Sequence, residues 1–292
     1  MDINYELYKV FYHVAISLSF SEASKKLYIS QSAVSQSIKV LEKKLNRTLF
    51  IRSTKKVQLT PEGEILLRHV EPAMNLIRRG EAQIMETDTL NGGQLHIGAS
   101  DTICRYFLVP YLNRFHKEYP NIHIKVTNQT SIRCVDLLEN GSVDLIFTNY
   151  PNSRLDHSFH IRYIREFHDR FIASRKYYGE LEHQTLSFQE LLEYPILMLG
   201  RNSTTSEFVH SMFQQHQLDL VPEIELSSND LLLDLASIGL GIAFVPDFCV
   251  TQKLHELFPI GLKSELPPRK LAVVHSEQMP VSSAARQFMS YF

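Results

Sequence analysis

Apolar residues recur at helical spacing through roughly the first third of the chain, then give way to short apolar runs alternating with amphipathic stretches. Leu7, Val10, Phe11, Val14 and Ala15 stripe residues 4–17, the spacing of a helix with one face buried. Phe20 opens a second helix, with Ser21 as its expected N-cap and Ala23 and Leu27 packing inward. Residues 28–31 read as a turn. Ala33, Val34, Ile38, Leu41 and Leu45 then share one face of a third helix over 32–45, with Ser30 as N-cap. Asn46, which tolerates the left-handed region, ends it. Leu49, Phe50 and Ile51 start a strand, 52–56 make a polar tip, and 57–59 return, so a hairpin follows the third helix. Thr60-Pro61-Glu62-Gly63-Glu64 is a strong helix start: a hydroxyl cap, proline in the first turn, acids that suit the helix dipole. That helix is expected to run over 61–89, with Leu66, Leu67, Val70, Met74, Ile77, Ile84 and Met85 as apolar positions and Pro72 as a kink point.

After Asn91-Gly92-Gly93, which reads as a hinge, strands and helices alternate. Strands are expected at 94–98, 122–127 and 143–148, with helices at 102–119, broken near Pro110, and at 131–139. This βαβαβ order implies a parallel sheet. A second block places strands at 170–173, 196–199, 223–226 and 241–245 and helices at 187–192, 204–216 and 229–238. A strand at 270–275 returns to the first block, and a helix over 281–292 ends the chain. A chain that crosses to a second α/β lobe and comes back predicts two lobes with a cleft between them.

Charge sharpens the reading of the first block. Residues 1–60 hold ten Lys/Arg against four Asp/Glu, a charge of +6; with −2 overall, the remainder carries −8. A basic head on an acidic body suits a nucleic-acid-binding module joined to another domain. The wet face of the third helix carries Gln31, Ser32, Ser35, Gln36, Lys39 and Lys43, amides and hydroxyls able to meet base edges beside lysines able to meet phosphates. Gln31, Ser32, Ser35 and Gln36 are the expected base-contacting residues. Lys39 and the hairpin's Arg52, Ser53 and Lys55 are assigned to the backbone or minor groove.

Other chemistries find little support. The three cysteines are far apart and show no CxxC spacing, so they read as reduced core thiols in a cytoplasmic protein. The 13 histidines show no metal motif, and no nucleophile elbow, phosphate loop or dinucleotide fingerprint appears. An enzyme is therefore not expected, nor any cofactor. No apolar run approaches the roughly 20 residues of a membrane span. Two alternatives keep the same fold: a thiol-based oxidant-responsive regulator, and a metabolite-binding protein without DNA function.

With Phe20, Ala23, Leu27, Ser30, Gln31, Ala33, Val34, Ser35, Ile38, Leu41, Glu42, Leu45, Leu49, Phe50, Arg52, Leu59, Thr60 and Gly63 in place, the head resembles that of a LysR-type transcriptional regulator. The body resembles the family through Asn140-Gly141-Ser142-Val143-Asp144-Leu145 and Gly239-Leu240-Gly241-Ile242-Ala243 with Pro246. Ser24, Ser32 and Asn46 depart from the family's usual alanine, proline and glycine. The expected architecture is a mixed α+β and α/β multidomain chain. A winged helix-turn-helix occupies 1–60 and a linker, or dimerisation, helix 61–90. A two-lobed, periplasmic-binding-protein-like effector domain occupies 91–292, with lobe I at about 94–162 and 268–292 and lobe II at about 163–267. The resemblance implies a homodimer, usually assembled into a homotetramer, bound to double-stranded DNA at an interrupted inverted repeat. It also implies a small-molecule effector in the interlobe cleft and an effect on RNA polymerase recruitment.

Ligands of parallel α/β sheets lie beyond the carboxyl ends of the strands. Three helix starts there carry hydroxyls and amides: Ser100-Asp101-Thr102, Asn128 with Thr130 and Ser131, and Ser203-Thr204. Thr148 and Pro246 are expected to line the walls. Free N–H groups at such starts suit a carboxylate, whereas Asp101 adds a negative charge that suits an amine or hydroxyl. The expected effector is a small polar metabolite, with a carboxylate as its leading feature.

Overall fold

The computed structural model describes residues 3–52, 56–85 and 92–292. The chain divides into two compact units: Met1–Met85 with Glu139–Ser142, and Glu86–Leu138 with Val143–Phe292.

The first unit holds helices α1 (Tyr5–Ser17), α2 (Phe20–Leu27) and α3 (Gln31–Leu45), strands β1 (Phe50–Arg52) and β2 (Val57–Leu59), and helix α4 (Pro61–Met85). Each of the first three helices starts on a side-chain cap: Asn4 accepts from the Glu6 N–H, Ser19 from Glu22 and Ser30 from Ala33. The cap of α2 is thus Ser19, two residues before the expected Ser21, because Phe20 is already helical. Tyr28 and Asn46 close α2 and α3 in the left-handed region, at φ 54° and 51°. Val10, Phe11 and Val14 of α1, Ala23 of α2, and Val34, Ile38 and Leu41 of α3 are buried with Leu49, Phe50 and Val70 in one core. The hairpin pairs Phe50 with Leu59 and Arg52 with Val57. Thr60 caps α4, its hydroxyl accepting from the Gly63 N–H at 3.0 Å and donating to the Thr48 carbonyl at 2.7 Å. Gly63 is required there: a Cβ would lie 2.3 Å from the Leu49 carbonyl oxygen. Helix α4 continues through Pro72 without a break and leaves Ile65, Leu76, Ile77 and Ile84 exposed. The expected extension to 89, residue 91 of the hinge, and the tip residues Ser53 and Lys55 lie outside the described residues.

The second unit has two lobes. In the first, β3 (Gln94–Ala99) leads into α5 (Asp101–Ile103), a π-helical turn (Cys104–Leu108) and α6 (Val109–Glu118). β4 (His123–Asn128), α7 (Ser131–Glu139), β5 (Leu145–Tyr150) and β6 (Phe159–Phe167) follow. In the second come β7 (Asp169–Ser174), α8 (Arg175–Tyr178), β8 (Thr185–Leu186), α9 (Phe188–Leu191), β9 (Ile196–Leu199) and α10 (Thr204–Gln215). Then follow β10 (Ile224–Leu226), α11 (Asn229–Ser237), β11 (Ile242–Pro246), β12 (Leu257–Pro259) and β13 (Gly261–Leu262). The chain returns through β14 (Arg269–Ser276) to α12 (Ser283–Met289).

The lobe sheets run β4-β3-β5-β14-β6 and β10-β9-β11-β7-β12. The β4, β3 and β5 strands are parallel, as the alternation predicts, but β14 is antiparallel to both β5 and β6. The second lobe repeats this scheme, with β7 antiparallel to β11 and β12. Both sheets are therefore mixed. The helical stretch after β3 does not break at Pro110: that residue sits in the first turn of α6, where a missing N–H costs little, and the irregularity is the π turn before it. Buried apolar side chains cover both faces of each sheet.

Candidate nucleic-acid interface and interlobe cleft

Helix α3 turns Val34, Ile38 and Leu41 inward, and so Gln31, Ser32, Gln36 and Lys39 stand exposed with Ser35 half-buried among them. These five share one face, as their spacing requires. The hydroxyls of Ser30 and Ser32 lie 2.9 Å apart. Tyr28, in the turn before α3, is 95% exposed, and Lys25, Lys26 and Lys43 add positive charge at the helix ends. The face offers hydrogen-bonding groups ringed by cations, which suits a polyanion with readable edges.

Arg52 behaves differently from the lysines. Its guanidinium bonds to Ser35 Oγ at 3.0 Å, pairs with Glu42 at 3.4 Å, and lies 4.7 Å over the Phe20 ring. The other Glu42 oxygen accepts from the Leu49 and Phe50 N–H groups at 2.9 and 3.3 Å. Glu42 and Arg52 thereby tie strand β1 to α3. Sequence spacing alone had no means of pairing residues 17 positions apart.

At the carboxyl ends of the body's strands the expected residues separate into two groups. Ser100 caps α5 through the Ile103 N–H, Thr130 caps α7 through Arg133, and Ser203 caps α10 through Ser206. Asp101 and Asn128 are exposed, with Asn128 accepting from the Cys104 thiol at 3.4 Å. Thr148 and Ser131, by contrast, are committed inside lobe I. The Asn152 amide donates to Thr148 Oγ1 at 2.9 Å and to the Ser131 carbonyl at 3.1 Å, and Ser131 Oγ accepts from the Asn149 N–H. Thr204 and Pro246 are buried, Pro246 paired with Asp169 in the register of β11 and β7.

Residues not singled out from the sequence bridge the lobes. Asn229, at the start of α11, donates to Thr102 Oγ1 at 2.9 Å. Tyr106, in the π turn, donates to Asp230 at 2.5 Å, and Arg105 approaches the same carboxylate at 3.7 Å. Burial, with the bond to Asp230, pushes the Tyr106 phenol well above its ordinary range, so it remains a donor. Deeper in, Arg269 grips Asp169 and also reaches Thr205 Oγ1 at 3.0 Å. Asn149 Oδ1, Asn229 Oδ1 and Arg269 Nη1 are buried without a hydrogen-bond partner. An N-cap serine with an alternating apolar run, SSNDLLLDL, was the available signal for Asn229.

The cysteines do not gather. Burial pushes Cys104 to about 11 and Cys134 to about 12, and raises Cys249 as well. Among the described residues no three His, Cys, Asp or Glu converge as a metal site, and no helix is long and apolar enough to cross a membrane.

Two family models match the chain: the LysR substrate binding domain over residues 88–292, and the bacterial regulatory helix-turn-helix protein, lysR family, over 5–64. A probable RuBisCO transcriptional regulator of Gracilaria tenuistipitata var. liui is 29% identical over 277 residues, 92% of this chain and 89% of its own length. Full-length OxyR from Pseudomonas aeruginosa has a similar structure, with a TM-score of 0.73 at 18% identity over 99% of this chain and 94% of that one. Full-length CbnR complexed with its target DNA gives 0.66 at 18% identity, over 99% and 98%.

Proposed function

From a chain that belongs to the LysR family of DNA-binding transcriptional regulators, we propose a regulator whose head reads an interrupted inverted repeat and whose body answers to a small polar metabolite. Helix α3 enters the major groove. Gln31, Ser32, Ser35 and Gln36 meet base edges, while Lys39 and the hairpin residues Ser53 and Lys55 meet the backbone or minor groove. The exposed apolar stripe of α4, Ile65, Leu76, Ile77 and Ile84, joins two copies, giving the heads the two-fold relation that an inverted repeat needs.

The effector lies between the lobes, among Ser100, Asp101, Thr102, Asn128, Thr130, Ser203 and Thr204, with Asn149 and Asn229 added. The N-terminus of α10 and its hydroxyls suit a carboxylate, and Asp101 suits an amine or hydroxyl on the same molecule. The observation that carries this reading is the pair of unpartnered amide oxygens, Asn149 Oδ1 and Asn229 Oδ1, buried where the two lobes meet. Buried polar atoms of that kind call for a partner.

Two measurements test the proposal. Selection from a duplex library with a randomised core should return an interrupted inverted repeat; recovery of no common sequence defeats the DNA reading. A thermal-shift screen of small carboxylates, amino acids and hydroxy acids should return a stabilising ligand whose effect is lost in Thr102→Val. Stabilisation that survives in that variant defeats the cleft reading.

A further inference from the structure

We propose that Arg52 is a positioning residue for sequence reading: it fixes the Ser35 hydroxyl so that Ser35 presents its hydrogen to the DNA. The inference rests on the reading of Ser35 as a base or near-base contact.

Arg52 lies on β1, the first strand of the wing, and is held on three sides. Phe20 supports the guanidinium from α2, Glu42 pairs with it from α3, and Ser35 takes a bond at 3.0 Å. Its side chain is only 33% exposed and that of Glu42 17%. A phosphate-binding arginine keeps its fork turned outward; this fork is occupied within the head.

A hydroxyl has one hydrogen and two acceptor positions, whereas a guanidinium only donates. The bond from Arg52 must therefore use a lone pair of Ser35 and leave its hydrogen to point elsewhere. Other helical serines of this chain turn that hydrogen back onto their own helix. Ser17 donates to the His13 carbonyl at 2.7 Å and Ser237 to Leu233 at 2.9 Å. Ser35 makes no such bond among the described residues. Its hydrogen is available on the face it shares with Gln31 and Lys39, and the adjacent cation strengthens it as a donor. The fitting partners are acceptors: a phosphate oxygen, a purine N7, guanine O6 or thymine O4. A base amino group at the same place would meet the guanidinium, so Arg52 tilts the choice of base without touching it.

The test uses the full-length protein and duplexes carrying the sequence recovered from the randomised library, with each base pair substituted in turn. Affinities are measured by fluorescence anisotropy over a range of KCl concentrations. Arg52→Met is expected to lose preference at the same base positions as Ser35→Ala, by about threefold to tenfold, with the salt dependence unchanged. The double variant should lose no more than either single one. Arg52→Lys, which keeps the charge without the planar fork, should behave as Arg52→Met. A phosphate-binding arginine gives a different pattern: uniform weakening on every sequence and a salt slope lower by about one. That pattern in Arg52→Met overturns the proposal. If Ser35→Ala keeps every preference, the reading of Ser35 itself falls, and this inference with it; if Ser35→Ala changes preference and Arg52→Lys does not, only the inference falls. Should Arg52→Met fail to fold, Glu42→Gln answers the same question, since it can still accept from the Leu49 and Phe50 N–H groups while dropping the charge that holds Arg52.

Discussion

Arg269, the first residue of β14, donates to Asp169, the first residue of β7, through two hydrogen bonds of 2.6 and 2.8 Å, and neither side chain is exposed. The Phe167 and Phe208 rings flank the guanidinium at 5.0 Å on each side. One partner stands where the chain enters lobe II and the other where it returns to lobe I. Breaking such a pair strands a buried charge, which costs about 3–5 kcal/mol. Arg269→Met should therefore lower the urea midpoint sharply. Arg269→Met combined with Asp169→Leu should recover much of the loss, because no charge is then left unpaired.

The contact between Tyr106 and Asp230 should govern how readily the lobes part. Tyr106→Phe removes one hydrogen bond, worth about 1 kcal/mol, and leaves Asp230 with Arg105 at 3.7 Å. Faster hydrogen exchange is expected in the first turn of α11 and in Cys104–Leu108, with the cores of both sheets unchanged. Equal exchange in the two proteins would show that this contact does not restrain the lobes.

His13 should make the head less stable in mild acid. Burial, then the charges of Arg78, Lys26 and Lys9, hold its pKa below the ordinary 6.5. Above pH 6.5 the ring is neutral in folded and unfolded chains alike. As pH falls below that value the unfolded chain takes up the proton first, so stability drops until the folded pKa is passed. His13→Gln should flatten the dependence of melting temperature on pH below 6.5 and leave the shape above it unchanged.

Gln31 and Lys39 should separate in binding experiments. Gln31→Ala should change which base pair is preferred at one position of each half-site, by about 1–3 kcal/mol of discrimination. Lys39→Ala should weaken all sequences alike and lower the salt slope by about one. The two are told apart by anisotropy titrations at several KCl concentrations.

The thiols should be slow. At about 11, Cys104 holds on the order of a hundredfold less thiolate at neutral pH than an ordinary cysteine, and Cys134 less again. A charged aromatic disulfide reagent should react far faster with the denatured protein than with the folded one. Cys104→Ser should leave the peroxide response of DNA binding unchanged; a lost response would revive the thiol-based reading.

What the sequence determined by itself is local. The spacing of Val34, Ile38 and Leu41 decides which face of α3 is buried, and so which face carries Gln31 and Lys39. Ser30, Asn46 and Thr60 mark helix boundaries because capping needs only residues one turn away. The alternation of strands and helices was enough to predict two α/β lobes. It was not enough for strand β6, whose HIRYIRE stretch carries charge because it lies at the sheet's edge, where one side needs no partner strand. The antiparallel seats of β14 and β7 were equally hidden, since strand direction follows from how the chain crosses between lobes. Tertiary structure alone decided the pairings that define the sites: Arg52 with Ser35, Thr102 with Asn229, Tyr106 with Asp230, Arg269 with Asp169. Their members stand 17 to 127 positions apart. Hydrophobic periodicity fixes which way a side chain faces. Which distant side chain it meets depends on the order and direction in which the strands assemble, and that is where the hydroxyls of Ser35 and Thr102 acquire their partners.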